Sequence, residues 1–204
     1  MKSIRNYLYR KYANIKYSKL IDGSGKIVLD HEDFLKLDRS AKLSLNGNLT
    51  LNVNRFGFNG RSSILRMDKG STLESNGFGF MYGADIILFP NAILKLGKGS
   101  FINSDCKIRC HKEITIGEGC AISHDFTIMD SDAHELNGSR NTNPIHIGNH
   151  VWMGRNVSVH KGGGIPDGCV IGANSFVTKK FYESNCMIAG TPARIIKKNI
   201  RWEM

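Results

Sequence analysis

From Ile147 onward an aliphatic residue returns at every sixth position: Ile147, Met153, Val159, Ile165, Ile171 and Val177, without a gap. An amphipathic helix would repeat its apolar residues at three and four, and a half-buried strand would alternate continuously. A period of six does neither over so long a stretch. It suits short strands broken by turns at fixed intervals, each sending one aliphatic side chain inward. The residues that follow these positions (Gly148, Gly154, His160, Pro166, Gly172, Thr178) are mostly small or turn-forming. Upstream, Ile116, Ile122 and Ile128 keep the same step, preceded by Leu96, Ile102, Ile108 and Ile114. No turn of such a coil buries its apolar positions alone; each depends on the turns stacked above and below it. The expected fold is therefore all-β, a parallel β-helix. A β-sandwich would instead show turn signals about every 8–12 residues.

The repeat is fainter towards the start of the chain, where residues 43–54 read LSLNGN and then LTLNVN and residues 63–100 are rich in alternating apolar positions. The 204 residues suit a single domain, 1–204. Within it the expectation is a basic helical segment in 1–25, β-helix over about 26–190, and a short helix in 191–204 that closes the last turn.

The formal charge of +10 sits at the two ends. Residues 1–20 carry Lys2, Arg5, Arg10, Lys11, Lys16 and Lys19 and no acid, and residues 194–204 carry Arg194, Lys197, Lys198 and Arg201 against Glu203. Between them, 18 basic residues face 17 acidic ones. A nucleic-acid-binding domain needs a basic stripe on its folded body, so nucleic acid is not an expected partner. The first cluster reads as a solvated helix face or as weak affinity for an anionic membrane surface. It lacks the apolar core of a signal peptide, and a cytoplasmic location is expected. The five cysteines (Cys106, Cys110, Cys120, Cys169, Cys186) contain no C-x-x-C pair and behave like small buried hydrophobes of a reducing compartment.

One segment breaks the rhythm. Ile128 and Ile147 are separated by MDSDAHELNGSRNTNPIH, which is polar and holds Asp130, Asp132, His134 and Glu135. Such a sequence offers no inward aliphatic position at each sixth residue, so 129–145 is expected to leave the coil as a loop. Loops on rigid scaffolds are where reactive side chains are usually displayed.

ITIGEGCAIS, the D-x-D-x-H of that loop, IHIGNHVWMGRNVSV, VIGANSFVTK and AGTPARII together resemble the hexapeptide-repeat acyltransferases, and most of all the sugar O-acetyltransferases of the maltose, galactoside and polysaccharide type. The resemblance covers about residues 96–196. It implies a left-handed β-helix, although left-handed crossovers run against the usual rule for parallel strands. It also implies a homotrimer with active sites between subunits, and direct transfer of acetyl from acetyl-CoA to a hydroxyl of a sugar or glycan. No metal is required.

The family's catalytic histidine matches His134. A hydroxyl attacks a thioester slowly unless its proton is removed as the bond forms, and a neutral imidazole suits that task. Asp130 or Asp132 is close enough in sequence to fix the ring's second nitrogen. For the acceptor the resemblance implies Asn103, His111 and Trp152; at His111 the chain departs from the galactoside enzymes, which carry an acid there. For the CoA arm it implies Gly154, Arg155, Ala173, Thr178, Lys179 and Arg194, with the backbone N–H of Gly154 as an oxyanion donor. Three other readings compete. One is N-acetylation of an amino or nucleotide sugar. Another is a zinc hydratase of the γ-carbonic-anhydrase type, for which only His146 and His150 lie close and at the wrong spacing. The third is a silent binding platform.

Overall fold

A six-residue period asks for three inward positions per turn, and strand pairing supplies them. The computed structural model describes residues 2–30, 32–52 and 61–204. Apart from the helix Lys2–Lys16 and a short 3-10 turn at Ser18–Leu20, the described elements are strands. Among the described residues all strand pairs are parallel except two: Ser131–Leu136 with Ser139–Thr142, and Met187–Ala189 with Arg194–Lys197.

The parallel strands stand in three columns. In one, Leu35, Leu65, Ile86, Ile108, Ile128, Val159 and Val177 lie in register. The second aligns Leu45, Ser75, Leu96, Ile116, Ile147 and Ile165. The third aligns Phe80, Ile102, Ile122, Met153, Ile171 and Ile188. All of these side chains are buried. Fully burying one aliphatic side chain is worth roughly 1.5–3 kcal/mol, and here each is covered only because a neighbouring turn lies on it.

Turn length varies along the stack. Ile147, Met153 and Val159 pair with Ile165, Ile171 and Val177, which is three hexads per turn. Lower down, Leu96, Ile102 and Ile108 pair with Ile116, Ile122 and Ile128, a longer step. The extra residues fall at the corner between Ile108 and Ile116. Ile114 therefore lies opposite Leu94 as a second inward residue of its strand and does not continue the six-step series. Towards the start, Leu43, Leu45 and Leu49 of the 43–54 repeat are buried, while its last two residues lie outside the described residues.

Both ends of the stack are covered, as exposed strand edges require. At the lower end Asn14, on the helix, takes the place of a neighbouring strand: its Nδ2 donates to the Ile27 carbonyl at 2.8 Å and its Oδ1 accepts from the Ile27 N–H at 3.0 Å. Arg10 Nε donates to the Leu29 carbonyl at 2.6 Å, and the Tyr17 hydroxyl to that of Leu35 at 3.1 Å. At the upper end the tail is a strand and not the expected helix. Arg194–Lys197 runs antiparallel to Met187–Ala189, with Ile195 opposite Ile188. The open edge of Met187–Ala189 and the adjacent β-branched residues Ile195 and Ile196 outweigh the helical propensity of the surrounding lysines and arginines.

Candidate active site

The excursion after Ile128 is an ordered hairpin, not an irregular loop. Ser131–Leu136 and Ser139–Thr142 are joined by Asn137 and Gly138, both at positive φ (53° and 73°). Asn-Gly between two strands is the usual signature of such a two-residue turn, and it was present in the sequence to be read. The hairpin is bulged: Ser131 faces Thr142 and Glu135 faces Arg140, so Asp132, Ala133 and His134 together oppose Asn141. Ala133 sits at φ 60°, a left-handed conformation that costs an L-residue energy and clusters at functional sites. The bulge is held at its base, where the Ser131 hydroxyl accepts from the Ala133 N–H (3.1 Å) and from the Thr142 hydroxyl (2.9 Å). A bulge re-aims the side chain beside it, and here that side chain is His134, which is exposed.

The two candidate partners of His134 do different things, and among the described residues no hydrogen bond joins either to it. Asp130 is fully buried and faces downward. Its oxygens accept the backbone N–H groups of His111, Lys112 and Glu113 at 2.7, 2.7 and 2.8 Å. Burial pushes its carboxyl above the ordinary range, and the three N–H donors pull against that rise. Asp130 is thus the clasp of the widened corner, which corrects its expected role as orienter of the imidazole. Asp132 forms an ion pair with Lys161. It also acts electrostatically on His160, which stands edge-on to Phe176 at 4.8 Å.

His160 was one of seven histidines with nothing in the sequence to single it out. Burial holds its imidazole below its ordinary value, and Asp132 opposes the fall. The fold therefore favours the neutral ring. The stability this contributes is complete above the unfolded value of about 6.5 and is lost as pH falls through it towards the folded value. Thermal midpoints measured from about pH 7.5 to about pH 5 should decline less steeply in His160→Gln than in the parent. Parallel declines would remove His160 as a source of the pH dependence.

The acceptor-side candidates are spread over two corners and a face. Asn103 is half-buried one turn below Ser123, and its Oδ1 accepts from the Ser104 N–H at 2.9 Å. His111 stacks on Phe89 with ring centroids 3.7 Å apart, at the corner that Asp130 holds. Trp152 projects outward and is 46% exposed. Its neighbour is Trp202, with centroids 6.1 Å apart, and Trp202 in turn stacks on His150 at 4.0 Å. Trp202 Nε1 donates to the His150 carbonyl at 3.0 Å. Sequence reasoning missed this docking of the tail, which is set by contact between residues 52 positions apart. It occupies His150, one of the two histidines on which a zinc reading would rest.

Of the residues expected to meet the CoA arm, Arg155 and Ala173 line an open cleft of about 460 Å³ with Asp125, Asn156 and Asn174. A second cleft of about 360 Å³, sharing Asp125 and Arg155, continues it down the corner past His124, Ser104 and Tyr82. Arg155 Nε bonds Asp125 at 2.8 Å. Thr178 and Lys179 are exposed beyond the next strand, Phe176–Val177, and Arg194 lies in the covering strand. One chain does not gather these residues into a single pocket.

Gly154 cannot serve as expected. Its N–H donates to the Ile171 carbonyl at 2.8 Å as part of the ladder and is not free for an oxyanion. Glycine is needed there for another reason: a Cβ would stand 2.7 Å from the backbone N of Ala173 in the turn above. Gly154→Ala should lower stability by about 1–3 kcal/mol, since backbone must move to admit the methyl. Thermal or urea unfolding measures this, and an unchanged midpoint would show that the corner yields freely.

The cysteines are all free and buried. Burial pushes the Cys106 thiol up to about 12 and raises those of Cys110, Cys120 and Cys169. None of these four is a thiolate nucleophile.

No family model matches the chain. Individual proteins do. It is 34% identical over 125 residues to the polysialic acid O-acetyltransferase of Escherichia coli O1:K1, covering 58% of this chain and 40% of that protein. It is 35% identical over 124 residues to the galactoside O-acetyltransferase of Escherichia coli K12, covering 58% and 57%. The chain thus spans about half the length of these curated relatives. Among solved structures, the polySia-specific acetyltransferase NeuO superposes with a TM-score of 0.57 at 26% identity, covering 90% of this chain and 88% of that one. Mostly parallel strands, few helices and these likenesses make the chain similar in sequence and fold to O-acetyltransferases of polysialic acid and galactoside.

Proposed function

We propose that this chain is an acetyl-CoA-dependent O-acetyltransferase that passes acetyl directly to a hydroxyl of a sugar or polysaccharide unit, with His134 as general base. The observation that carries the reading is the strained bulge at Ala133, which presents His134 on a hairpin leaving an otherwise regular stack. The scaffold of this proposal is a left-handed parallel β-helix, 1–204, working in the cytoplasm. Its acceptor-side and CoA-side residues are completed by a neighbouring copy in a homotrimer. That arrangement accounts for the scatter of Asn103, Trp152, Arg155, Thr178, Lys179 and Arg194 over one chain.

In this mechanism the neutral His134 ring accepts the acceptor's hydroxyl proton as its oxygen attacks the thioester carbonyl. The C–S bond then breaks, and the imidazolium returns the proton to the departing thiolate. Asp132 lies two residues before His134 and Glu135 directly follows it, so two carboxylates stand close in sequence to the developing imidazolium. Lys179 and Arg194 suit the phosphates of CoA.

The test is release of free CoA thiol from acetyl-CoA across a panel of glycans, amino sugars and nucleotide sugars. Turnover dependent on a hydroxyl acceptor is expected. Turnover with amines alone would favour N-acetylation. No turnover, together with no rise in melting temperature on adding acetyl-CoA, would leave a binding platform.

A further inference from the structure

The helix Lys2–Lys16 is amphipathic the wrong way round. A surface helix normally turns its apolar stripe to the core. Here the side facing the coil is held largely by polar contacts: Asn6, Arg10 and Asn14 bond Asp30, Leu29 and Ile27, the hydroxyls of Tyr9 and of Tyr17 just beyond the helix reach the carbonyls of Asp33 and Leu35 while their rings pack partly against the core, and Ala13 is buried. The opposite side carries Ile4, Leu8, Tyr12 and Ile15, spaced at four, four and three, with Tyr7 at its margin. These five are 57–65% exposed, although aliphatic and aromatic residues on a solvated helix face are normally few. Arg5, Lys11, Lys16 and Lys19 are exposed on or beside the same stripe. No acidic residue precedes Asp22.

We infer that this outward face is a docking surface for a bilayer containing anionic lipid. Aliphatic and tyrosine side chains at the apex with cations on and beside the stripe match the boundary between acyl chains and negatively charged headgroups. The charge pattern chooses between occupants. A second copy laid face to face would bring the two sets of arginine and lysine side chains together with no acid to separate them, whereas an anionic surface neutralises both flanks. The helix does not cross the bilayer: among the described residues no helix is long and apolar enough to do so. It lies along the surface, with the coil standing off it through Asn14 and Arg10. This inference does not depend on the chemistry assigned to His134.

The experiment is co-sedimentation of the full chain with vesicles of phosphatidylcholine alone and of phosphatidylcholine mixed with phosphatidylglycerol. The chain should sediment with the mixed vesicles only, and less so as salt is raised. Leu8→Gln combined with Ile15→Gln should lower that partitioning about tenfold or more, and Arg5→Gln with Lys11→Gln should lower it at low salt. These side chains point away from the coil, so melting temperatures should match the parent. Absence of sedimentation with either vesicle, or undiminished sedimentation of the Leu8/Ile15 variant, overturns the inference. So does lipid-free self-association that the same pair of substitutions abolishes, which would make the face a contact between copies.

Discussion

Replacing His134 with alanine is expected to slow acetyl transfer by about 10²–10⁴-fold, the usual contribution of a positioned general base. Acetyl-CoA binding should stay within about twofold of the parent, because the cleft lined by Asp125, Arg155, Asn156, Ala173 and Asn174 includes no residue of the hairpin. Stability should be equally unaffected, since the His134 side chain is exposed and makes no hydrogen bond among the described residues. Three readouts therefore separate the base from a structural residue: thiol release, the melting shift produced by acetyl-CoA, and the urea midpoint. Wild-type transfer by His134→Ala would remove the residue from the mechanism. A fall in transfer accompanied by an equal fall in stability would mean that the hairpin had collapsed and that the imidazole had not been tested. A second variant, Ala133→Gly, relaxes the strain at φ 60° while leaving the imidazole in place. If the bulge does no more than aim the ring, this variant keeps its stability and loses a smaller part of the rate.

The columns of Ile, Leu and Val were legible because burial along a stack is periodic. Ile147 to Val177 fall in register as the six-step spacing required, and the break after Ile128 is where the chain leaves the stack. What could not be read was anything set by contact between distant turns. The two extra residues at the His111 corner shift Ile114 out of series, and nothing local to IRCHKEITI announces that a carboxylate from the next turn holds that corner. The tail failed for a similar reason. ARIIKKNIRW has a basic, apolar composition that suits a helix, but the unpaired edge of Met187–Ala189 lies across the chain and decides the outcome. In the site, proximity in sequence suggested either aspartate as the orienter of His134. Asp130 precedes a bulge and a change of chain direction, so four residues of separation place its side chain in the core and the histidine in the open.

That separation makes Asp130 the position where the largest loss of stability is expected. Asp130→Ala strips the acceptor from three backbone donors at once, those of His111, Lys112 and Glu113. A buried donor left without a partner costs roughly 1–3 kcal/mol, and water reaches part of this corner because Lys112 is exposed. The combined loss should be about 3–4 kcal/mol, near the upper range for a single substitution. Asp130→Asn should fall between, since one amide oxygen still accepts while the new NH₂ confronts N–H groups. Asp132→Ala is the control: its ion pair with Lys161 is partly exposed and should be worth less than about 1 kcal/mol. Urea unfolding of the three variants gives the order. The base of the hairpin depends on the same residue, because the Asn143 N–H donates to the Asp130 carbonyl at 2.9 Å. That main-chain bond survives the substitution, so transfer should fall only in proportion to the fraction unfolded. If Asp130→Ala instead kept the parental midpoint and lost transfer, the carboxylate would be acting on the imidazole, and its assignment to the corner would be wrong.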